Sequence, residues 1–329
     1  MKLASLKEGG RDGTLIVVSR DLAHGVRADG IAATMQAALD DWDNLHQPLE
    51  ALADALEDGN AEGLFDIDTG DLASPLPRAY QFLDGSAYLA HVERVRRARG
   101  AEMPPSFLTD ALMYQAVSDG FLAPAGTISV ASEDFGIDFE AEVCVITGDV
   151  PMGVSADDAG GYVKLICLVN DVSLRNLIPA ELGKGFGFLQ SKPRSALSPV
   201  AVTPAELGAA WVDGKLHLPL TTHYNGELFG DPECGVDMQF SFNELIAHAA
   251  RTRPLSAGTV LGSGTIANQD MSRGSSCLAE KRVLEIIADG KAKTPFMSFG
   301  DTVRVEMLDA AGASVFGAIE HMIVQYDGP

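Results

Sequence analysis

Cysteine is scarce and unpaired in this chain. The four residues, Cys144, Cys167, Cys234 and Cys277, lie far apart without a Cys-x-x-Cys pair. Two of them fall in apolar, strand-like runs, which argues against a disulfide framework and for buried free thiols in a reducing compartment. Histidine offers no zinc site: His24, His46, His217, His223, His248 and His321 include no metal-type spacing such as His-x-x-x-His. Long apolar runs are missing as well, for no stretch approaches the ~20 residues of a membrane span. The first ten residues are charged and have no apolar core of signal-peptide length. A cytoplasmic protein is expected, with no membrane partner. Positive charge is in short supply, with 24 Lys and Arg against 46 Asp and Glu, for a net charge of −22. That balance argues against nucleic acid and anionic lipid as partners, since both require cationic patches. No internal repeat or low-complexity segment is found.

What is present is ample core material and many turns: 46% of residues are hydrophobic, with 34 Gly and 16 Pro. At 329 residues the chain exceeds the usual single core, so a large domain plus a smaller one is expected. Residues 1–75 read as the smaller unit. A strand over 13–19 precedes helical spacing through Met35, Leu39 and Trp42, then Leu45, Leu49, Leu52 and Leu56, with Pro48 placed to start a second helix. Residues 73–78, Ala-Ser-Pro-Leu-Pro-Arg, are the expected linker. Beyond it, short β-rich runs over 127–130, 139–146, 162–169, 200–202, 216–224, 302–307 and 318–325 alternate with Gly and Pro punctuation. One helix carries a capping box at Ser241 and Glu244. The expected fold is therefore α+β and mainly β, of mixed topology, not a doubly wound sheet.

The sharpest local signal is the run Ile-Asp-Phe-Glu140-Ala-Glu142-Val-Cys-Val-Ile. Residues i and i+2 of a strand share a face, so two carboxylates stand side by side where like charges repel. Either a hard divalent cation sits between them, or the strand has an exposed acidic face. Asp171 ends another apolar run and is followed by Arg175. These two could complete a carboxylate set and bind an anion, or be an ordinary turn residue and a surface charge. Asp84 lies seven residues before His91, ahead of a basic stretch with Arg94, Arg96, Arg97 and Arg99. Taken alone, that spacing also fits a capping aspartate and an ordinary histidine.

Together, Asp84, Glu140-x-Glu142, Asp171-x-x-x-Arg175, Lys192 ahead of Ser198-Pro199, and Gly262-Ser-Gly-Thr265-Ile resemble the fumarylacetoacetate hydrolase family, over roughly residues 80 to 325. The resemblance implies a mixed β-sandwich roll behind a small N-terminal α/β domain, divided at 1–75 and 76–329, and a homodimer. It implies one divalent ion, Mg²⁺ with Mn²⁺ or Ca²⁺ as alternatives, held by Asp84, Glu140, Glu142 and Asp171. His91 matches the water-activating histidine, Lys192 the lysine that stabilises oxyanion charge, and Arg175, Tyr114 and Thr265 the ligand-contacting positions. Glu280 is the expected partner of the histidine, with Glu285 as competitor.

The implied activity is hydrolysis of a carbon–carbon bond in a β-diketo acid, a small dicarbonyl substrate. Fumarylacetoacetate, giving fumarate and acetoacetate in tyrosine and phenylalanine breakdown, is the leading case. Acylpyruvate or fumarylpyruvate hydrolysis, oxaloacetate decarboxylation and hydratase or isomerase chemistry on aromatic ring-cleavage products are the alternatives. A noncatalytic binding protein on the same fold is a further one. Asn176, Ile178 and Ser86 depart from the family pattern at positions that touch substrate recognition more than metal binding.

Overall fold

A computed structural model describes residues 1–98 and 102–328, with side chains left undescribed at 95–98. Arg99 of the basic stretch thus lies outside the described residues. Among the described residues the strands form two large sheets and two two-stranded ones. The larger has the path Phe65–Asp66, His24–Arg27, Thr14–Val18, Lys2–Leu6, Ala201–Val202, Val163–Asn170, Ala141–Thr147, Thr259–Gly262, Gln81–Gly85 and Met113–Ala116. Its neighbours along this path are antiparallel except Thr259–Gly262 with Gln81–Gly85. The second sheet runs Glu227–Gly230, Leu220–Tyr224, Thr302–Met307, Ile319–Gln325 and Ala125–Val130. The chain is α+β and mainly β, as its sequence predicts.

The large sheet is buried on both faces, and the period-2 alternation of its strands shows how. Val143, Val145, Ile166 and Leu168 join the core shared with the second sheet. Cys144, Ile146, Leu165, Cys167 and Val169 face the other way, in a core with Leu3, Leu15, Val17, Met35, Leu39, Trp42 and Leu49. The N-terminal unit therefore shares its sheet and its core with the rest of the chain. Residues 73–78 are fastened rather than loose. Leu72–Ala73 pairs with the first strand, Ser5 Oγ donates to Pro75 O at 2.6 Å, and Ser74 Oγ donates to Leu122 O at 2.7 Å. All four cysteines are free and buried.

Two local expectations are corrected. Pro48 does not start a helix but lies inside Trp42–Glu57. The helical break falls earlier, at Asp41 (φ −130°, ψ 37°), and the carbonyl of exposed Asn44, deprived of a Pro48 N–H, can be hydrated. The run 216–224 is two strands of different sheets, Lys215–Leu216 paired with Trp211–Val212 and Leu220–Tyr224 in the second sheet, with Pro219 between them. The capping box forms as expected, with Ser241 and Glu244 bonding each other's backbone ahead of Phe242–Ala249.

Candidate metal centre

The site grows from one register line of the large sheet. Tyr114, Asp84 and Gly262 are cross-strand neighbours, and Gly262 in turn opposes Cys144, two residues after Glu142. Glu142 opposes Val169, so the next residue on that face, Asp171, emerges just past the end of its strand. Carboxylate oxygens of Asp84, Glu142 and Asp171 lie within 4.8 Å of one another, and all three residues are buried.

Three packed carboxylates need a cation, and their surroundings show how far the protein supplies one. Asp171 is satisfied: Ser195 Oγ donates to it at 2.6 Å, Lys192 Nζ at 2.5 Å, and Tyr114 Oη bonds it closely. Asp84 Oδ1 and both oxygens of Glu142 are buried without a hydrogen-bond partner. Burial and the neighbouring Asp171 push Asp84 up to about 8, and burial with Asp84 pushes Glu142 well above the usual carboxylate range. An all-oxygen, hard-ligand set with unpaired buried oxygens fits a divalent ion such as Mg²⁺, Mn²⁺ or Ca²⁺. The backbone is shaped to the same end. A Cβ at Gly262 would stand 2.2 Å from Asp84 Oδ1 and 3.2 Å from Glu142 Oε2, so only glycine leaves these oxygens their room.

Glu140, the expected fourth ligand, is placed differently. The strand begins at Ala141, and Glu140 sits at its entrance with Arg175 Nη2 on Oε1 at 2.7 Å and Lys192 Nζ on Oε2. Burial alone would raise its pKa, but Arg175 and Lys192 outweigh it and hold the carboxyl well below its ordinary range. For Lys192, burial opposes the charge, and Asp171 and Glu140 outweigh it to keep the ammonium protonated. Arg175 is further locked by Asp138, which accepts from its Nε at 2.8 Å and from the Leu278 and Ala279 N–H groups.

Across the cavity, His91 Nδ1 is 2.7 Å from Glu280 Oε2, and Arg94 donates to Glu280 Oε1 at 2.5 Å. A buried carboxylate on Nδ1 makes that nitrogen the donor and leaves the Nε2 lone pair free in the neutral ring. Glu285 is elsewhere, accepting from Thr294 Oγ1 at 2.6 Å and from the Lys293 and Thr294 N–H groups. The cavity holds about 450 Å³ and is lined by Asp84, Glu140, Glu142, His91, Lys192 and Arg175, together with Tyr114 and Thr265. All the candidate residues except Glu280 and Asp171 line it directly; Glu280 bonds His91, and Asp171 belongs to the carboxylate cluster.

Sequence reasoning missed Ser195, Arg94, Phe188 and Asp138. For Asp138 a signal existed, because it continues the alternation of Glu142 and Glu140 by one more step. Of the departing positions, Ser86 and Ile178 line the cavity, while Asn176 donates from Nδ2 to Asp134 O at 2.8 Å and is exposed. Among the described residues no helix is long and apolar enough to cross a membrane.

Comparison with known proteins matches this architecture from end to end. Residues 81–324 match the model for the fumarylacetoacetate (FAA) hydrolase C-terminal region, and residues 1–78 that for fumarylacetoacetase N-terminal domain 2. Oxaloacetate tautomerase Fahd2a, mitochondrial, of Rattus norvegicus is 23% identical over 242 residues, 64% of this chain and 75% of that protein. Maleylpyruvate hydrolase from Sphingobium sp. SYK-6, solved with manganese(II) and pyruvate, superposes with a TM-score of 0.66 at 16% identity, covering 99% of each chain. The 5-carboxymethyl-2-hydroxymuconate delta-isomerase of Mycobacterium smegmatis gives 0.61 at 16% identity over 100% of both. These likenesses extend over the sheet that carries the carboxylates and over the N-terminal unit that backs it, and the chain belongs to the fumarylacetoacetate hydrolase family.

Proposed function

We propose that this protein hydrolyses a carbon–carbon bond of a β-diketo acid with a divalent ion bound at Asp84, Glu142 and Asp171, and with Glu140 as the fourth carboxylate, oriented by Lys192 and Arg175. The observation that carries the reading is the pairing, across one cavity, of unpartnered buried carboxylate oxygens with a carboxylate-oriented histidine. When bound, the ion supplies Lewis acidity to the two adjacent oxygens of a 2-oxo acid. Mg²⁺ is the ion expected first, and Mn²⁺ accompanies pyruvate in the maleylpyruvate hydrolase relative.

The chain's own groups divide the remaining work. His91 Nε2 takes a proton from water, whose oxygen adds to the carbonyl remote from the acid. The bond from that carbonyl carbon to the intervening methylene then breaks. Its electron pair leaves on the methylene side as an enolate, which regains a proton to give the second product. Glu280 holds the His91 ring and balances the imidazolium that forms, and Arg94 holds Glu280. Lys192 spends two of its three N–H donors on Glu140 and Asp171, leaving one for developing oxyanion charge. Arg175 beside them is placed to meet the substrate carboxylate.

Acylpyruvates satisfy this scheme as written; fumarylacetoacetate, whose acid end is a 3-oxo acid, undergoes the same carbon–carbon cleavage but would offer the metal its β-diketone oxygens instead. Acylpyruvates are supported by the relatives whose names carry pyruvate and oxaloacetate. Assembly as a homodimer belongs to the same reading and rests on family membership. Replacing His91 with Ala tests the mechanism. Turnover is expected to fall roughly 10²- to 10⁴-fold while calorimetry still finds the metal bound, as for loss of a positioned base. Unchanged turnover removes His91 from the chemistry.

A further inference from the structure

We infer that the acyl end of the substrate is apolar and uncharged. The inference rests on the reading above, in which the 2-oxo acid end meets the carboxylate cluster. Among the described residues, Arg175 and Lys192 are the lysine and arginine side chains that line the cavity. Both stand at the same end. They share Glu140, and between them they also hold Asp138 and Asp171, so three carboxylates already draw on two cations. One incoming carboxylate, that of the 2-oxo acid, is what this end can serve. Among the described residues no further lysine or arginine lines the cavity to meet a second.

The rest of the lining is of another character. Leu112, Met113, Ile178, Leu182 and Phe188 bound it, and the Phe188 ring meets Tyr114 edge-on at 4.7 Å, giving the cavity a continuous apolar stretch of lining. Leu112 and Leu182 are 41% and 48% exposed, large apolar side chains left to water at a cavity edge where a bound tail would cover them. A tail carboxylate placed against this wall would lose its hydration and meet no cation in return. Each methylene covered there instead favours binding by roughly fourfold. The substrate class that fits is an acylpyruvate with an alkyl or aryl tail, in place of the fumaryl group first expected.

The test compares two acylpyruvates of near-equal length, pentanoylpyruvate and succinylpyruvate, on the full-length protein with Mg²⁺ or Mn²⁺. Pentanoylpyruvate is expected to have the higher kcat/KM by at least roughly tenfold. Leu182→Arg, a change at a half-exposed side chain that the fold should tolerate, is expected to shift the ratio toward succinylpyruvate by roughly threefold or more. Calorimetry of the metal-loaded protein with 2-oxoheptanoate and 2-oxoadipate reads the tail preference without turnover, and 2-oxoheptanoate should bind more tightly. Equal or better use of succinylpyruvate, or equal or tighter binding of 2-oxoadipate, overturns the inference and leaves the hydrolase reading standing. Turnover of neither acylpyruvate overturns the acylpyruvate form of the hydrolase reading, and the calorimetric pair still decides the tail.

Discussion

Asp84 concentrates the energetics of the site in one residue. It is buried, its Oδ1 lacks a partner, and burial with the nearby Asp171 lifts it from 3.8 to about 8 in the metal-free chain. Between about pH 4 and about 8 the unfolded chain gives up this proton while the folded chain keeps it. The stability of the metal-free protein therefore falls as pH rises through that window. A bound cation displaces the proton, so its stabilising effect grows over the same range. The gap in Tm between Mg²⁺-saturated and chelator-treated protein is expected to widen from about pH 5.5 to about 8; a gap independent of pH contradicts the coupling. At this scale the acidic residues were legible and their division of labour was not. Glu140 and Glu142 look equivalent at i and i+2, yet one meets Arg175 and Lys192 and the other meets only carboxylates. Those cations come from 35 and 52 residues along the chain, a separation that carries no local signal.

At the scale of elements, what shapes the centre is a strand position without a side chain. Gly262 lies between the strands that carry Asp84 and Glu142, and its backbone needs no left-handed conformation. Gly262→Ala should therefore keep the strand while its Cβ intrudes on Asp84 Oδ1. We expect a folded protein whose metal affinity, by calorimetry, drops roughly 10- to 100-fold. Retained affinity would show that the carboxylates have room to spare. The strands themselves were readable, since β-branched runs such as 302–307 and 319–325 form where the pattern places them. Prolines misled twice. Pro48 is tolerated inside a helix whose freed carbonyl, at exposed Asn44, is open to water, and Pro219 stands between two strands that alternation alone would join.

For the whole molecule, the two family regions share one sheet and one core across their sequence boundary. Lys2–Leu6 pairs with Ala201–Val202, and a single core joins Leu3, Val17 and Trp42 to Cys144, Leu165 and Val169. A contact between residues 2 and 202 leaves no trace in local composition, whereas the acidic, proline-bounded first 75 residues do. Removing residues 1–78 would bare one face of the strands that carry Glu142 and Asp171, along with an unpaired sheet edge. The fragment 79–329 is expected to aggregate or to lose cooperative thermal unfolding; a soluble fragment with the native Tm would make the N-terminal unit an independent domain.

The central claim is that the carboxylate cluster serves a metal on which hydrolysis depends. Its most direct measurement follows the absorbance of an acylpyruvate as it is cleaved, first by chelator-treated protein and then as Mg²⁺ or Mn²⁺ is titrated back. The account predicts no cleavage without metal, and recovery that saturates with one ion per chain. Full cleavage by the metal-free protein would contradict it.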